Sequence, residues 1–320
     1  MGKKIITEQD ISKRLDIVIK PSDIVIGAIA GDIIGSLYEF NRIKSTEFPL
    51  FSEKSRFTDD TVMTIAILNA LLEYDEQVGF THSDKTTDWK KLNQLFISSM
   101  KTYGQSYPKA GYGSKFFYWL CRNSSEPYNS FGNGSAMRVS PVAAFFDNED
   151  YIEHVSAASA AVTHNHPEGI KGAQAVADAI YLAKYRNQAT KEKDEIKDIV
   201  NIKYGYNFFR TLDMIRPDYG FDETCQGSIP EALLCFFEGN SFEEVVRLAV
   251  SLGGDADTQA AISGSIAAAR YGVPEEIKAE AIKRLPDDLL DVYNRFDKMV
   301  NPEKEMLRAK EWKSQTTPDT

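Results

Sequence analysis

The sequence contains few cysteines and few histidines, and it has no long uninterrupted hydrophobic run. Its three cysteines, Cys121, Cys225 and Cys235, are an odd number without a CxxC spacing, which argues against a disulfide framework and against a thiolate zinc site. We therefore expect a reducing, cytoplasmic compartment. The apolar run 24–38 is interrupted by Asp32 and is too short to span a bilayer. The N-terminus shows no apolar segment typical of a signal peptide, so we expect no membrane association.

Basic side chains are fewer than acidic ones. The chain has 37 basic and 47 acidic side chains, which gives a formal net charge of −10. Such a surplus of negative charge opposes docking on DNA, RNA or an anionic membrane surface, and we expect no nucleic acid as a general partner. A small anionic ligand stays possible, because bound divalent cations and helix N-termini can reverse the local sign of the electric field.

Alternating patterns typical of β-strands are scarce, and nearly every patterned segment has helical periodicity. The candidate helices span residues 23–38, 59–75, 88–103, 113–122, 135–146, 150–162, 168–187, 190–215, 228–238, 241–252, 257–271, 274–284 and 287–299. We therefore predict an all-α fold. One domain at 21–300 is expected, preceded by an N-terminal extension at 1–20 and followed by a polar C-terminal tail at 301–320. We expect a monomer.

Two short acidic clusters lie far apart in the chain, each at the point where a loop enters an apolar helix. They are residues 58–61, with sequence TDDT, and residues 255–258, with sequence DADT. A helix N-cap would explain one threonine and one aspartate, but two consecutive aspartates exceed that need. Four carboxylates and several hydroxyls are the oxygen donors that Mg²⁺ and Mn²⁺ prefer. Because four like charges repel when no cation lies between them, the clusters predict a site for one or two divalent ions.

A second group of candidates lies in the first helix. Gly27, Gly31 and Gly35 recur every four residues and form one smooth face against which another backbone can pack closely. Tight helix packing is one explanation of this pattern, and a further role of this helix in a functional site is the alternative. Asp32 is a charge inside an otherwise apolar helix, and burying a carboxylate costs several kcal/mol unless it meets donors or a cation. Glu39 follows at the expected helix end. Both acids are either site residues or exposed surface acids.

Two further motifs contain residues suited to ligand binding. Residues 131–138, FGNGSAMR, form a glycine-rich turn before a helix, a geometry that presents backbone N–H groups to an anion. Without a preceding strand and a lysine it is neither a Rossmann turn nor a P-loop. Arg138 either neutralises a phosphate or pairs with an internal acid. Residues 163–168, THNHPE, contain the two histidines His164 and His166. We favour hydrogen bonds from these histidines to a substrate or to the acids over zinc binding, because the chain offers too few further zinc ligands. A Ser-His-Asp triad stays an open alternative, although no GxSxG motif occurs.

Taken together and in this order along roughly residues 24–274, these motifs resemble the ADP-ribosylglycohydrolase family. The resemblance implies an all-α fold, a compact orthogonal multi-helix bundle with a central metal-containing cleft that holds two divalent cations, Mg²⁺ or Mn²⁺. It also implies hydrolysis of the glycosidic bond at the anomeric carbon of ADP-ribose attached to a protein side chain, serine or arginine, or to a small conjugate. The alternatives are a non-catalytic ADP-ribose-binding descendant of the fold and a two-metal phosphohydrolase acting on a nucleotide diphosphate.

The resemblance also implies roles for individual residues. The metal ligands would be Thr58, Asp59, Asp60, Asp255, Asp257 and Thr258. The phosphate and ribose region would be lined by Ser130, Phe131, Gly132, Asn133 and Gly134, with His164 close to the substrate. Glu39 matches the glutamate that lies over the metals in the serine-directed branch of the family, and Glu39 and Asp60 are the candidate catalytic residues. The aromatic residues of segment 103–128 either stack on adenine or belong to the core.

Overall fold

The fold is known from a computed structural model that describes residues 19–83, 85–184 and 192–301. The helices are α1 (Pro21–Gly35), α2 (Asp59–Gln77), α3 (Trp89–Ser106), α4 (Ser114–Cys121), α5 (Gly134–Met137), α6 (Ser140–Phe145), α7 (Glu149–Ala161), α8 (Pro167–Lys184), α9 (Lys193–Tyr204), α10 (Leu212–Ile215), α11 (Cys225–Glu238), α12 (Phe242–Ser251), α13 (Ala256–Tyr271), α14 (Glu275–Ile282) and α15 (Asp287–Val300). In these ranges the only extended pairing is one antiparallel bridge between Gly132 and Thr224. The predicted all-α fold is confirmed.

Two predicted helices are divided in the structure. The prediction of one helix at 190–215 was wrong, because α9 ends at Tyr204. Gly205, whose φ of 69° is left-handed, caps it, and the short α10 follows after a loop. The segment 135–146 forms α5 and α6, which are separated at Arg138 and Val139. Most of the predicted N-terminal extension and C-terminal tail lies outside the described residues.

Helices α1 and α13 pack against each other in direct backbone contact at the centre of the molecule. A Cβ atom placed on Gly31 would lie 2.1 Å from the carbonyl oxygen of Ala260, and one on Gly35 would lie 2.4 Å from that of Ala256. The packing explanation of the glycine pattern is therefore correct. Residues 22–35 and 256–269 are all buried, so the two helices form the core of the fold.

The other helices surround this central pair. Helices α8, α11 and α12 pack against α13, α2 packs against α1 and α3, and α7 packs against α8. The N-termini of α2 and α13 meet at one end of the central pair, which brings both acidic clusters to the same region. Within the described ranges no helix combines the length and the apolar character that crossing a lipid bilayer requires.

Replacing Gly31 with alanine should destabilise the protein. The added methyl group would overlap the Ala260 carbonyl and force the central helices apart, at an expected cost of about 3 kcal/mol in the free energy of unfolding. Urea denaturation measures this cost. Gly220→Ala is the matched control, because a Cβ there meets nothing within 4 Å. Equal stability of the two variants would contradict the close helix contact.

Candidate functional site

The two acidic clusters meet where the N-termini of α2 and α13 face each other. Thr58 caps α2, since its Oγ1 accepts a hydrogen bond from the backbone N–H of Asp60 at 3.4 Å. Across the interface the hydroxyl of Thr258 donates to Oδ2 of Asp60 at 3.1 Å. The fold therefore joins residues that are 198 positions apart in the sequence.

Asp32 organises the loop that leads into α2. It is fully buried, and its carboxylate accepts hydrogen bonds from the N–H and the hydroxyl of Thr58 at 2.9 and 2.7 Å. It also accepts from the N–H of Thr61 at 3.1 Å and from the Thr61 hydroxyl. Burial nevertheless raises the pKa of Asp32 above its ordinary value. These bonds pin the first turn of α2 to the middle of α1 and thereby aim Asp60 toward α13.

The carboxylates form two overlapping groups. Oxygen atoms of Asp32, Asp60 and Asp257 lie within 4.8 Å of one another, and so do oxygen atoms of Glu39, Asp255 and Asp257. Asp257 belongs to both groups. Oδ1 of Asp60 is buried and finds no hydrogen-bond partner among the described residues. Carboxylate oxygens at this spacing suit Mg²⁺ or Mn²⁺, so the residues fit the divalent cations that the sequence predicts.

The pKa values of these acids are raised. Burial is the main cause for Asp60 and Asp257, whose pKa values lie well above the ordinary range, and the neighbouring carboxylates raise them further. Burial raises the pKa of Asp255 to about 6, although hydrogen bonds from Asp257 and Asn133 oppose the shift. Burial and the charges of Asp257 and Asp32 raise the pKa of Glu39 to about 8. Bound cations would relieve this repulsion and favour the ionised acids.

Three of the six predicted metal ligands are not members of these groups. Thr58 faces Asp32, and its hydroxyl is engaged there. Asp59 lines the cleft beside Gly111, where φ is 122° and an added Cβ would lie 3.1 Å from Oδ1 of Asp59. The third is Thr258, whose hydroxyl donates to Asp60. The assignment of all six residues as metal ligands stays a prediction. Asp32 was noticed in the sequence as a charge in an apolar helix, but it was not among the predicted ligands.

The glycine-rich turn lies next to the acids. The side-chain amide of Asn133 donates to Oδ2 of Asp255 at 2.7 Å, and its backbone N–H donates to the carbonyl of Glu223 at 2.8 Å. The N–H of Cys225 donates in turn to the carbonyl of Phe131 at 2.9 Å. Ser130 completes the turn, because its Oγ accepts from the N–H of Gly132 at 3.2 Å. The segment before α11 therefore fixes the turn beside the carboxylates.

His164 lies against the same turn. Its Nδ1 is 2.7 Å from the hydroxyl of Thr163, and its Nε2 would lie 3.2 Å from a Cβ on Gly134. Burial and the nearby Arg138 hold the pKa of His164 well below its usual value, so the ring is neutral. His166 has a structural role, because its Nδ1 accepts from the N–H of Glu168 in the first turn of α8 at 3.1 Å.

A cleft with a volume of about 290 Å³ is lined by the glycine-rich turn, by His164 and by the acids Glu39, Asp59, Asp60, Asp255 and Asp257. Phe131 and Phe221 stand at its wall and are 43% and 40% exposed. The aromatic residues of segment 103–128 occupy two kinds of position: Trp119 belongs to the core, whereas Phe116 and Tyr128 line the cleft. Phe221 was missed in the sequence, because only the tertiary fold brings the segment before α11 to this cleft.

The sequence profile of the ADP-ribosylglycohydrolase family matches residues 22–309. The chain belongs to this family. ADP-ribosylhydrolase ARH3 of Mus musculus is 25% identical to this ADP-ribosylglycohydrolase family member, over 78% of this chain and 83% of the mouse protein. ADP-ribosylarginine hydrolase Tri1 of Pseudomonas putida is 24% identical, over 86% of this chain and 79% of that protein. A solved ADP-ribosylglycohydrolase-related protein complex shares the fold with a TM-score of 0.54 and 21% identity, covering 86% of this chain and 97% of that chain.

Divalent cations should stabilise this family member. At a concentration of Mg²⁺ or Mn²⁺ about 100 times its Kd, we expect the melting temperature to rise by roughly 5 °C above that in chelator. Asp257→Asn should abolish the rise, because Asp257 belongs to both carboxylate groups. Differential scanning fluorimetry measures this rise in melting temperature.

Asp178→Asn is the matched control for this experiment. Asp178 is an equally buried aspartate that pairs with Lys203, away from the cleft. The control should keep the full cation-dependent rise. A rise that survives in Asp257→Asn would contradict the assignment of the carboxylate groups.

Proposed function

We propose that the protein is a metal-dependent ADP-ribosyl hydrolase that cleaves the glycosidic bond at the anomeric carbon of ADP-ribose and releases free ADP-ribose. The observation that carries this proposal is the convergence of the carboxylates beside the glycine-rich turn, which Asn133 links to Asp255 at 2.7 Å. The glycine-rich turn and the carboxylates are thus adjacent in one cleft, as binding of a ligand with a diphosphate and a ribose would require.

The cleft suggests how ADP-ribose would bind. The diphosphate would lie on the turn formed by Ser130, Gly132 and Gly134, beside the ring of His164. The partly exposed rings of Phe131 and Phe221 offer apolar faces on which adenine can stack. The ribose that carries the scissile bond would then face the acids at the N-termini of α2 and α13.

The chemistry follows from the charge that develops during cleavage. The transition state of glycoside hydrolysis has oxocarbenium character, and carboxylates close to the anomeric carbon stabilise that positive charge. Thr58, Asp59, Asp60, Asp255, Asp257 and Thr258, together with Asp32 and Glu39, are the residues that would hold two divalent cations. When bound, such cations orient the ribose hydroxyls and offset the repulsion among the acids.

Glu39 and Asp60 are the proposed catalytic residues. Glu39 is only half buried and lines the cleft from the loop between α1 and α2, so its carboxyl group is placed to give a proton to the leaving atom of the acceptor or to take one from the attacking water. Asp60 is almost fully buried, and its oxygen Oδ2 is held by Thr258. It is therefore suited to electrostatic stabilisation and metal ligation more than to proton transfer.

A product assay tests the proposed reaction. The protein should release free ADP-ribose in Mg²⁺ or Mn²⁺ from chains ADP-ribosylated on serine or on arginine, and chelator should stop the release. We expect the serine-linked substrate to react faster because Glu39 matches the serine-directed branch of the family. Mass spectrometry identifies the product. Release of AMP would instead support a phosphohydrolase, and tight binding of ADP-ribose without any product would support a non-catalytic descendant.

Glu39→Gln should lower kcat by roughly 10²–10⁴-fold, because the amide cannot exchange a proton with the substrate. Affinity for the product ADP-ribose, measured by isothermal titration calorimetry, should change far less. Glu47→Gln is the matched control, since Glu47 lies on the same loop, is exposed and does not line the cleft. If Glu39→Gln turns over at the rate of Glu47→Gln, Glu39 is not catalytic.

A further inference from the structure

Arg138 is a buried arginine that lacks an acidic partner among the described residues. It is 1% exposed, and its guanidinium donates to the carbonyl of Gly134 at 2.8 Å, to the carbonyl of Ser159 at 3.2 Å and to the hydroxyl of Thr163 at 2.9 Å. All three acceptors are neutral. Of the two interpretations that the sequence left open for Arg138, pairing with an internal acid does not occur in the described part of the chain.

The bond from Arg138 determines what the hydroxyl of Thr163 can do. Its oxygen already accepts from the guanidinium, so its hydrogen is free to be donated. The acceptor in range is Nδ1 of His164, at 2.7 Å. The opposite arrangement, with a proton on Nδ1, would bring two donors to the same hydroxyl and would leave its own hydrogen buried without an acceptor among the described residues. Nδ1 therefore accepts, and the ring proton resides on Nε2.

The protonated nitrogen faces the glycine-rich turn. Positions for a Cβ on Gly134 and on Gly132 lie 3.2 and 3.6 Å from Nε2 of His164, and all three residues line the cleft. The same guanidinium that orders Thr163 also holds the carbonyl of Gly134. The buried guanidinium of Arg138 thus fixes both the turn and, through Thr163, the ring of His164 that lies against it. Burial and this neighbouring charge hold the pKa of His164 low, so the ring stays neutral.

We propose that Arg138 and Thr163 are positioning residues that lock His164 into its Nε2–H tautomer, so that the ring presents a neutral hydrogen-bond donor to an anionic oxygen of the ligand at the 132–134 turn. The identity of that ligand as the diphosphate of ADP-ribose rests on the proposed function. The tautomer itself does not, because it follows from contacts within the protein.

Long-range ¹H–¹⁵N correlation spectra of histidine rings test the tautomer directly in the full chain without ligand. The signal of His164 is assigned by its loss in His164→Gln. In the wild type, Nδ1 should show the shift of an unprotonated nitrogen and Nε2 that of a protonated one. Thr163→Val, which keeps the shape but removes the hydroxyl, should give a mixture of tautomers, and Thr163→Ser should restore the wild-type pattern. An Nδ1–H tautomer in the wild type would overturn the proposal.

Calorimetric titration with ADP-ribose in Mg²⁺ tests the consequence for binding. Thr163→Val should weaken binding roughly tenfold, the value of about one hydrogen bond to a charged group, and Thr163→Ser should bind as the wild type does. Thr64→Val, another buried threonine outside this chain of bonds, controls for the loss of a buried hydroxyl and should bind normally. Unchanged affinity and an unchanged tautomer in Thr163→Val would refute the positioning role.

The two experiments separate the two proposals. If the wild type does not bind ADP-ribose, the proposed function fails together with the ligand part of this inference, whereas the tautomer is still decided by the spectra. If ADP-ribose binds and the wild-type ring carries its proton on Nδ1, the proposed function stands and the positioning role fails.

Discussion

The backbone contact between α1 and α13 is the constraint on which the rest of the structure depends. It exists because Gly31 and Gly35 have no side chains, so the carbonyls of Ala260 and Ala256 can approach to distances that a Cβ would forbid. Such an approach places the N-terminus of α13 beside the last turns of α1. Asp32 lies on those turns, so the same contact that forms the core also determines which carboxylates can meet.

Converging these acids has a cost, and the fold offsets only part of it. Asp32 is satisfied by Thr58 and Thr61, and Asp60 and Asp257 lie in the first turns of α2 and α13, where helix dipoles favour negative charge. Their pKa values nevertheless stay well above the ordinary range, because burial and mutual repulsion outweigh these contacts. The protein alone therefore stabilises the ionised cluster incompletely, and bound divalent cations would supply the missing positive charge.

The sequence revealed those features that depend on local chemistry. Helical periodicity, the cap at Thr58 and the paired aspartates are local signals, and they predicted the all-α fold and the meeting of the clusters. The division of the predicted helix 190–215 was harder to predict, because the apolar spacing of Val200, Tyr204 and Phe208 continues across Gly205 while that glycine adopts a left-handed φ. The place of Phe221 in the cleft that Phe131 also lines could not be predicted, since the bridge that joins the two segments connects residues that are distant in the sequence.

Charged side chains of both signs line the cleft, and this bears on its chemistry. Beside the carboxylates the lining contains Lys115 and Arg138, whose guanidinium donates to neutral acceptors, and His164 is neutral. A ligand with an anionic diphosphate and a ribose that becomes positive during cleavage would meet groups of both signs in one cleft. A protonated His164 would add charge beside Arg138 in a buried site at a further desolvation cost, so the neutral ring, which still offers one N–H donor, is the form that the unliganded site favours.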